Sequence, residues 1–273
     1  MQNKLYTTFL GRCLIKILIS PVVSKAAGAF MNSVASKILI KPFIHKNNID
    51  MSDYKTENWK CFNDFFIRKL RPGKRVTDER ARSLISPCDG YLTCYNITPD
   101  STFEIKNSIY TIKDLIQNDL ISDVYKGGLC LIFRLTPTDY HRYIYPDKGF
   151  KTKNTEIPGT FHTVKPIAVE KYPVYSTNSR EYTILRTNNF DDIVFVEVGA
   201  MMVGKIVNYH HEHEFERGDE KGRFEFGGST IIMLLKKDIA IIDSEIKDCN
   251  NQGLEYRVKL GQSIGTRIWI TIF

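Results

Sequence analysis

The chain has 273 residues, long enough for one sizeable core, and its 42% hydrophobic and 25% charged residues exclude wholesale disorder. Its cysteines (Cys13, Cys61, Cys88, Cys94, Cys130 and Cys249) form no CxxC pair and no regular spacing, which predicts reduced thiols in a cytosolic setting. The net charge is +7, and residues 1–49 account for it with Lys4, Arg12, Lys16, Lys25, Lys37, Lys41 and Lys46 and no acid. A basic arm on a neutral body points to an anionic surface, either phospholipid headgroups or nucleic acid.

In chain order, the run Phe9–Ile19 is broken by Arg12 and Lys16 and is followed by no A-x-A site, so it does not read as a cleavable signal. It is also shorter than the ~20 apolar residues a bilayer span needs. Phe9, Leu10, Cys13, Leu14, Ile17 and Leu18 recur at helical spacing, with Arg12 and Lys16 opposite. Past Pro21 a second amphipathic segment sets Val22, Val23, Ala26, Ala27, Phe30, Val34, Ile38 and Leu39 against Lys25 and Lys37. Wide apolar faces with lysine-rich polar stripes predict helices lying in a membrane interface, the alternative being helices packed on the protein's own core. Residues 1–50 are therefore predicted as a membrane-association segment, and residues 51–273 as the catalytic domain.

Trp59–Leu70 reads as an amphipathic helix ended by Arg71-Pro72-Gly73, and Thr111–Leu120 as a second. Strands are predicted over Gly90–Ile97, Leu129–Leu135, Glu181–Arg186, Ile193–Val198, Lys205–Tyr209, Thr230–Leu235 and Arg267–Ile270. The fold class is α+β, with N-terminal amphipathic helices leading into a mainly antiparallel β core.

Candidate chemistry collects at three places. Gly227-Gly228-Ser229 precedes a strongly apolar strand; the glycines free the backbone and leave the Gly228 carbonyl open to attack by a deprotonated Ser229 hydroxyl. Asp89 stands in the turn Ser86-Pro87-Cys88-Asp89-Gly90, where an Asp-Gly pair is otherwise a plain turn signature. His141 follows a strand end in Asp139-Tyr140-His141-Arg142, placed as a base could be. Asp, His and Ser are the parts of a nucleophile–base–orienter triad, which is recognised by spatial geometry.

Across roughly residues 55–270 the sequence resembles the phosphatidylserine decarboxylases. The matching stretches are Phe62–Gly73, Ser86–Gly90, Asp139–Arg142, Val198–Ala200 with Val203-Gly204, Lys221-Gly222, Phe226–Thr230 and the loop Gly261–Gly265. The resemblance implies a zymogen. Ser229 would cleave the chain at Gly228–Ser229 by an N-to-O acyl shift and elimination, leaving a β chain (1–228) and an α chain (229–273) that stay associated. Ser229 would become a pyruvoyl group, the covalent cofactor, forming a Schiff base with phosphatidylserine and releasing CO2 and phosphatidylethanolamine. It implies that Asp89 and a histidine of the Asp-Tyr-His loop activate the serine, and that the protein acts peripherally on the cytoplasmic side of the cell membrane.

Many members of the family carry a second histidine, Asp-Tyr-His-Arg-x-His, where this chain has Ile144, which cannot move a proton. His141 is then expected to serve both processing and decarboxylation, with His162 as the substitute. Ile144 also leaves open a non-processing membrane-associated binding module, and a pyruvoyl decarboxylase of a soluble amino acid is the enzymatic alternative. A Ser-His-Asp hydrolase is disfavoured because its elbow would read G-x-S-x-G. His210, His211 and His213 match no metal-ligand spacing; strand alternation would put His210 opposite the other two, and no metal is expected. Basic and aromatic residues are not interleaved as nucleic-acid binding would require.

Overall fold

The computed structural model describes residues 19–55, 58–105, 108–200 and 205–268. The helical face predicted over Phe9–Leu18, the Val203-Gly204 pair and the end of the strand predicted over Arg267–Ile270 lie outside them.

A nine-stranded antiparallel sheet forms the centre. Its strands run in the order β12 (His213–Phe215), β7 (Gly149–Lys151), β9 (Arg180–Thr187), β10 (Asp191–Gly199), β14 (Ser229–Leu235), β5 (Leu129–Leu135), β2 (Gly90–Asn96) and β16 (Tyr256–Val258), with β8 (Thr155–Ile157) also on β9. All seven residues of β14 are buried, because both faces of the sheet are covered. That double burial is why Ile231–Leu235 reads as an unbroken apolar run rather than an alternation. Ile132, Val196, Val198, Ile232 and Leu234 face one core. Short helices close that side: α4 (Ile112–Ile116), α5 (Asp119–Val124), α6 (Pro166–Val169) and α7 (Val174–Thr177). Leu131, Phe133, Phe195, Ile231 and Met233 face the other. Two three-stranded sheets contribute to that side, β1 (Ser83–Ile85) with β17 (Ser263–Arg267) and β15 (Ala240–Ile242), and β11 (Ile206–Asn208) with β13 (Glu220–Phe224) and β6 (Arg142–Ile144). A hairpin, β3 (Thr102–Ile105) with β4 (Ser108–Thr111), and the helix α8 (Ser244–Asn251) complete the body. The fold is α+β, as the sequence predicts.

Both predicted internal helices are shorter than their periodicity suggests. Trp59–Leu70 yields only α3 (Phe62–Phe66). Beyond it Arg68 lays its guanidinium over the Tyr54 ring at 4.2 Å and donates to the Phe66 and Thr138 carbonyls, while Leu70 bridges to Tyr54. Thr111–Leu120 breaks into α4 and α5 at Gln117, which is left-handed (φ 51°), and Asn118 caps the second piece. Among the described residues the C-terminal strand is β17, which starts four residues before the predicted one and shares Arg267 with it.

The N-terminal arm is helical in its described part: α1 (Pro21–Met31), a 3₁₀ turn (Val34–Leu39) and α2 (Ile40–Lys46). Ser20 caps α1 and Pro21 opens it. Its apolar face is divided between packed and exposed residues. Met31 and Ile40 pack with Phe62, Phe65 and Phe66 of α3, whereas Val22, Val34 and Ile38 stay about three-quarters exposed. No described helix is long and apolar enough to cross a membrane.

Candidate active site

The chain leaves the small sheet at Phe224, turns through Glu225–Gly228 and enters the centre of the large sheet at Ser229. Each step is fixed by a named contact. The Phe224 amide donates to the His141 carbonyl (2.9 Å), and the Glu225 amide to the Lys205 carbonyl (2.9 Å). The Phe226 amide donates to Asn63 Oδ1 (3.0 Å), and the Phe226 ring packs edge-on against Phe62 and Phe66 at 4.9 and 5.2 Å. Gly227 has φ +145°, a conformation that residues with a Cβ rarely adopt. A Cβ on Gly228 would meet Val164 and Ala200 only at ordinary contact distances, 3.5 and 3.9 Å. Packing therefore does not demand glycine at 228; its absent side chain instead leaves the carbonyl carbon unshielded.

Ser229 is paired across β14 with Gly199 on one side and Leu135 on the other, and it is fully buried. Its Oγ has no hydrogen-bond partner, and neither has Thr230 Oγ1 beside it. A buried, unsatisfied hydroxyl costs about 1–3 kcal/mol, so such a group is retained for a reason other than stability.

His141 is buried against the Phe66 ring at 4.1 Å. Its Nδ1 lies 3.0 Å from the Asp139 carbonyl. A carbonyl can only accept, so Nδ1 carries the proton and Nε2 keeps its lone pair. Nε2 has no hydrogen-bond partner. Burial pushes the imidazole pKa down to about 4, against the partial pull of the Asp139 carboxylate and the Gly227 carbonyl, so the ring is neutral at pH 7. It is a neutral imidazole beside the Glu225–Gly228 turn. The Asp139 carboxylate, held below its usual range by Arg257 despite burial, also accepts from the Thr136 amide and hydroxyl and stiffens the loop.

Asp89 is placed differently from the triad expectation. It accepts from Arg75 Nε at 2.9 Å and Nη2 at 2.6 Å, and from the Leu260 amide at 2.8 Å. Arg75 also reaches Asp53 at 3.1 Å. The structure brings His141 and Ser229 to the turn, but the partner that orients His141 is the Asp139 carbonyl, not the Asp89 carboxylate. Ile144 packs with Ile85, Tyr140 and Leu260, and its amide donates to the Pro87 carbonyl. An apolar side chain fills the space beside the Asp89 turn, and arginine meets the carboxylate instead. Neither Arg75 nor the aromatic clamp of Phe62, Phe66 and Phe226 is assigned a role by sequence reasoning, because only contacts distant in sequence define them.

His162 lies behind the turn. Its amide donates to Asn178 Oδ1, whose Nδ2 donates to the carbonyls of His162 and of Gly199, the partner of Ser229. Its ring stacks on Tyr172 at 4.7 Å. The His210 and His213 rings stack on each other at 3.9 Å, contrary to the predicted alternation, because β12 begins only at His213 and residues 210–212 are loop. Among the described residues no group of side chains could hold a metal ion.

A cleft of about 220 Å³ opens onto the turn, lined by Phe43 of the arm, Arg134, Thr136, Val164, Lys165 and Gly228. Arg134 and Val164 also line an adjoining cavity of about 430 Å³. Within it Arg134 Nε donates to Glu255 at 2.8 Å, which joins residues on opposite sides of the Gly228–Ser229 bond.

The sequence pattern of the phosphatidylserine decarboxylase family matches residues 62–266. The chain belongs to this family. It is 46% identical over 262 residues to a phosphatidylserine decarboxylase proenzyme 2 of Clostridium acetobutylicum, covering 96% of this chain and 90% of that one. It is 40% identical over 274 residues to the phosphatidylserine decarboxylase proenzyme of Ruminiclostridium cellulolyticum, covering 98% and 91%. A Clostridium tetani proenzyme of the same description is 41% identical over 245 residues. The first two of these matches cover the chain nearly end to end.

Proposed function

We propose that this chain is a self-cleaving phosphatidylserine decarboxylase whose cleavage bond is Gly228–Ser229. The observation that carries the reading is the pair of buried, unpartnered atoms at one sheet crossover, Ser229 Oγ and His141 Nε2. His141 Nε2 takes the hydroxyl proton, and Ser229 Oγ attacks the Gly228 carbonyl carbon. The peptide nitrogen leaves as the amine of an ester-linked chain. Loss of the Ser229 α-proton then expels the Gly228 carboxylate, and water releases ammonia from the new N-terminus. The residues fit a pyruvoyl group at 229, since the hydroxyl that would be consumed makes no hydrogen bond that its loss would break. Such a group supplies an electron-accepting carbonyl for decarboxylation. Asp89 supports the site through Arg75 and the Leu260 turn.

For the substrate, the cleft is smaller than the ~300–1,000 Å³ typical of whole-ligand sites, which suits a headgroup whose acyl chains stay outside. Lys165 gives it positive charge for the phosphodiester of phosphatidylserine, beside the Arg134–Glu255 pair. Phe43 makes the membrane-facing arm one wall of the cleft, so a lipid held at the arm lies beside the turn. This supports peripheral attachment of residues 1–50 to anionic phospholipid on the cytoplasmic side, with residues 51–273 as the catalytic domain. The two chains stay associated because β14 lies between β10 and β5.

Intact mass of the purified protein, beside Ser229→Ala, tests this. Two fragments meeting at 228/229, the smaller blocked at its N-terminus and short of ammonia, are expected from the wild type and none from the variant. A wild-type chain that stays whole on anionic vesicles would overturn the reading.

A further inference from the structure

One costly buried polar group lies outside the chemistry described so far. Lys221 and Glu197 are fully buried and form an ion pair. Lys221 Nζ also donates to Asn208 Oδ1 at 2.6 Å and lies over the Phe195 ring at 4.8 Å. Asn208 Nδ2 in turn donates to Glu181 at 3.0 Å. Glu197 Oε2 has no hydrogen-bond partner. Burying two charges costs more than their attraction returns unless the geometry is excellent, and apolar residues of similar size commonly serve stability as well. An incompletely satisfied pair in a well-packed core therefore needs a reason beyond stability.

Its place in the fold supplies one. Glu197 is on β10, opposite Ile231 of β14, and the next pair on the same face of that ladder is Gly199 with Ser229. Lys221 is on β13, in the other sheet, and β13 runs directly into the scissile turn. The ion pair thus ties the strand that delivers Gly228 to the strand that pairs with Ser229, two residue pairs from Ser229. The neighbouring Gly222 shows how closely β13 is held: a Cβ there would come 2.4 Å from the Val207 carbonyl.

We propose that the Lys221–Glu197 pair is a positioning device for self-cleavage, fixing where the Gly228 carbonyl stands relative to the Ser229 hydroxyl. This rests on cleavage at Gly228–Ser229. The pair touches no reacting atom; it sets the spacing between the two sheets across which the acyl shift must occur. Attack requires the two atoms at near-contact distance, where a displacement of about 1 Å can cost on the order of a hundredfold in rate.

The test is the double variant Lys221→Met/Glu197→Leu in the full chain, read in two ways beside the wild type. The urea midpoint is measured in the Ser229→Ala background, so that only uncleaved chains are compared. The cleavage half-time is followed by intact mass with Ser229 present. An unchanged or higher midpoint with cleavage slowed about tenfold or more is expected, a split that a purely structural pair would not give. An unchanged midpoint with wild-type cleavage overturns the proposal, while leaving the cleavage reading intact. A wild-type chain that never cleaves overturns both. Where the double variant yields no folded protein, Asn208→Ala replaces it. Asn208 is only half-buried, so its loss removes one Lys221 acceptor without exposing the core; cleavage slowed several-fold supports the device, and wild-type cleavage rejects it.

Discussion

Two buried polar centres flank β5, and they are finished to different degrees. Around Asp89 the polar atoms are met: both carboxylate oxygens receive Arg75, Oδ1 also receives the Leu260 amide, and Arg75 is shared with Asp53. Around Ser229 they are left open, with Ser229 Oγ, Thr230 Oγ1 and His141 Nε2 all unpartnered. A satisfied centre has its interactions optimised for the folded state and has nothing left to give a reaction. An unsatisfied one holds donors and acceptors in reserve for a group that changes charge as bonds are made. The contrast supports the proposal that the first centre serves stability and the second serves chemistry.

The sharpest way to break that contrast is at His141. His141→Ala should slow cleavage by about 10²–10⁴-fold, the range for loss of a positioned base. Its pH profile should also be distinctive. Because burial lowers the imidazole pKa to about 4, cleavage should stay level as pH falls through 6 and decline only near 4. Stability follows the same sign. The unfolded histidine, near 6.5, binds its proton before the folded one does, so the contribution of neutral His141 is complete above 6.5 and lost as pH falls toward 4. Cleavage rates against pH, with circular dichroism to count folded chains, check this; an acid limb centred near 6.5 in folded protein would remove His141 from the role.

A smaller effect is expected at Asp89. Asp89→Asn leaves Arg75 short of its main partner and should cost about 3 kcal/mol in urea unfolding, the lower end for a broken buried pair because Arg75 keeps Asp53. The fraction that folds should cleave within about tenfold of the wild type, whereas removing a true orienter costs about 10⁴. Adding Arg75→Met should restore part of the lost stability. If folded Asp89→Asn protein scarcely cleaves, the two centres are a single machine after all.

How much of this the sequence carries depends on how local each feature is. β5 is predicted at both ends because Leu129–Leu135 is apolar except for Arg134 and bounded by Gly128 and Thr136-Pro137. The strand predicted for β14 misses only Ser229, which with Thr230 forms a polar start to the apolar run. Ser229, Gly228 and His141 stand out because their neighbours in sequence are also their neighbours in the site. Arg75 does not, since an arginine fourteen residues before Asp89 carries no local mark. The helix predicted over Trp59–Leu70 fails for the same reason: Arg68 finds its partners on residues 54, 138 and 139, and those contacts override the periodicity. Lys221 is visible as part of a motif, but its partner Glu197 is set by the meeting of two sheets.

The last effect leaves cleavage untouched and concerns the arm, where exposed apolar and basic residues alternate with packed ones. Val34 and Ile38 are exposed within one 3₁₀ turn, Lys37 lies between them and Lys41 follows in α2, while Met31 and Ile40 hold the arm to α3. Charge and apolar area should therefore add at a lipid surface without disturbing the body. Each lysine near an anionic bilayer contributes about 1 kcal/mol, so Lys25, Lys37 and Lys41 together changed to Gln should weaken vesicle binding by about a hundredfold at low salt. Cleavage in detergent should be unchanged, because none of the three touches the turn, while decarboxylation on phosphatidylserine vesicles should fall with binding. Sedimentation with vesicles of graded anionic content checks the first effect and CO2 release the second. Undiminished binding to anionic vesicles would mean that the arm inserts by its apolar face alone, and that the basic residues serve only to keep it soluble.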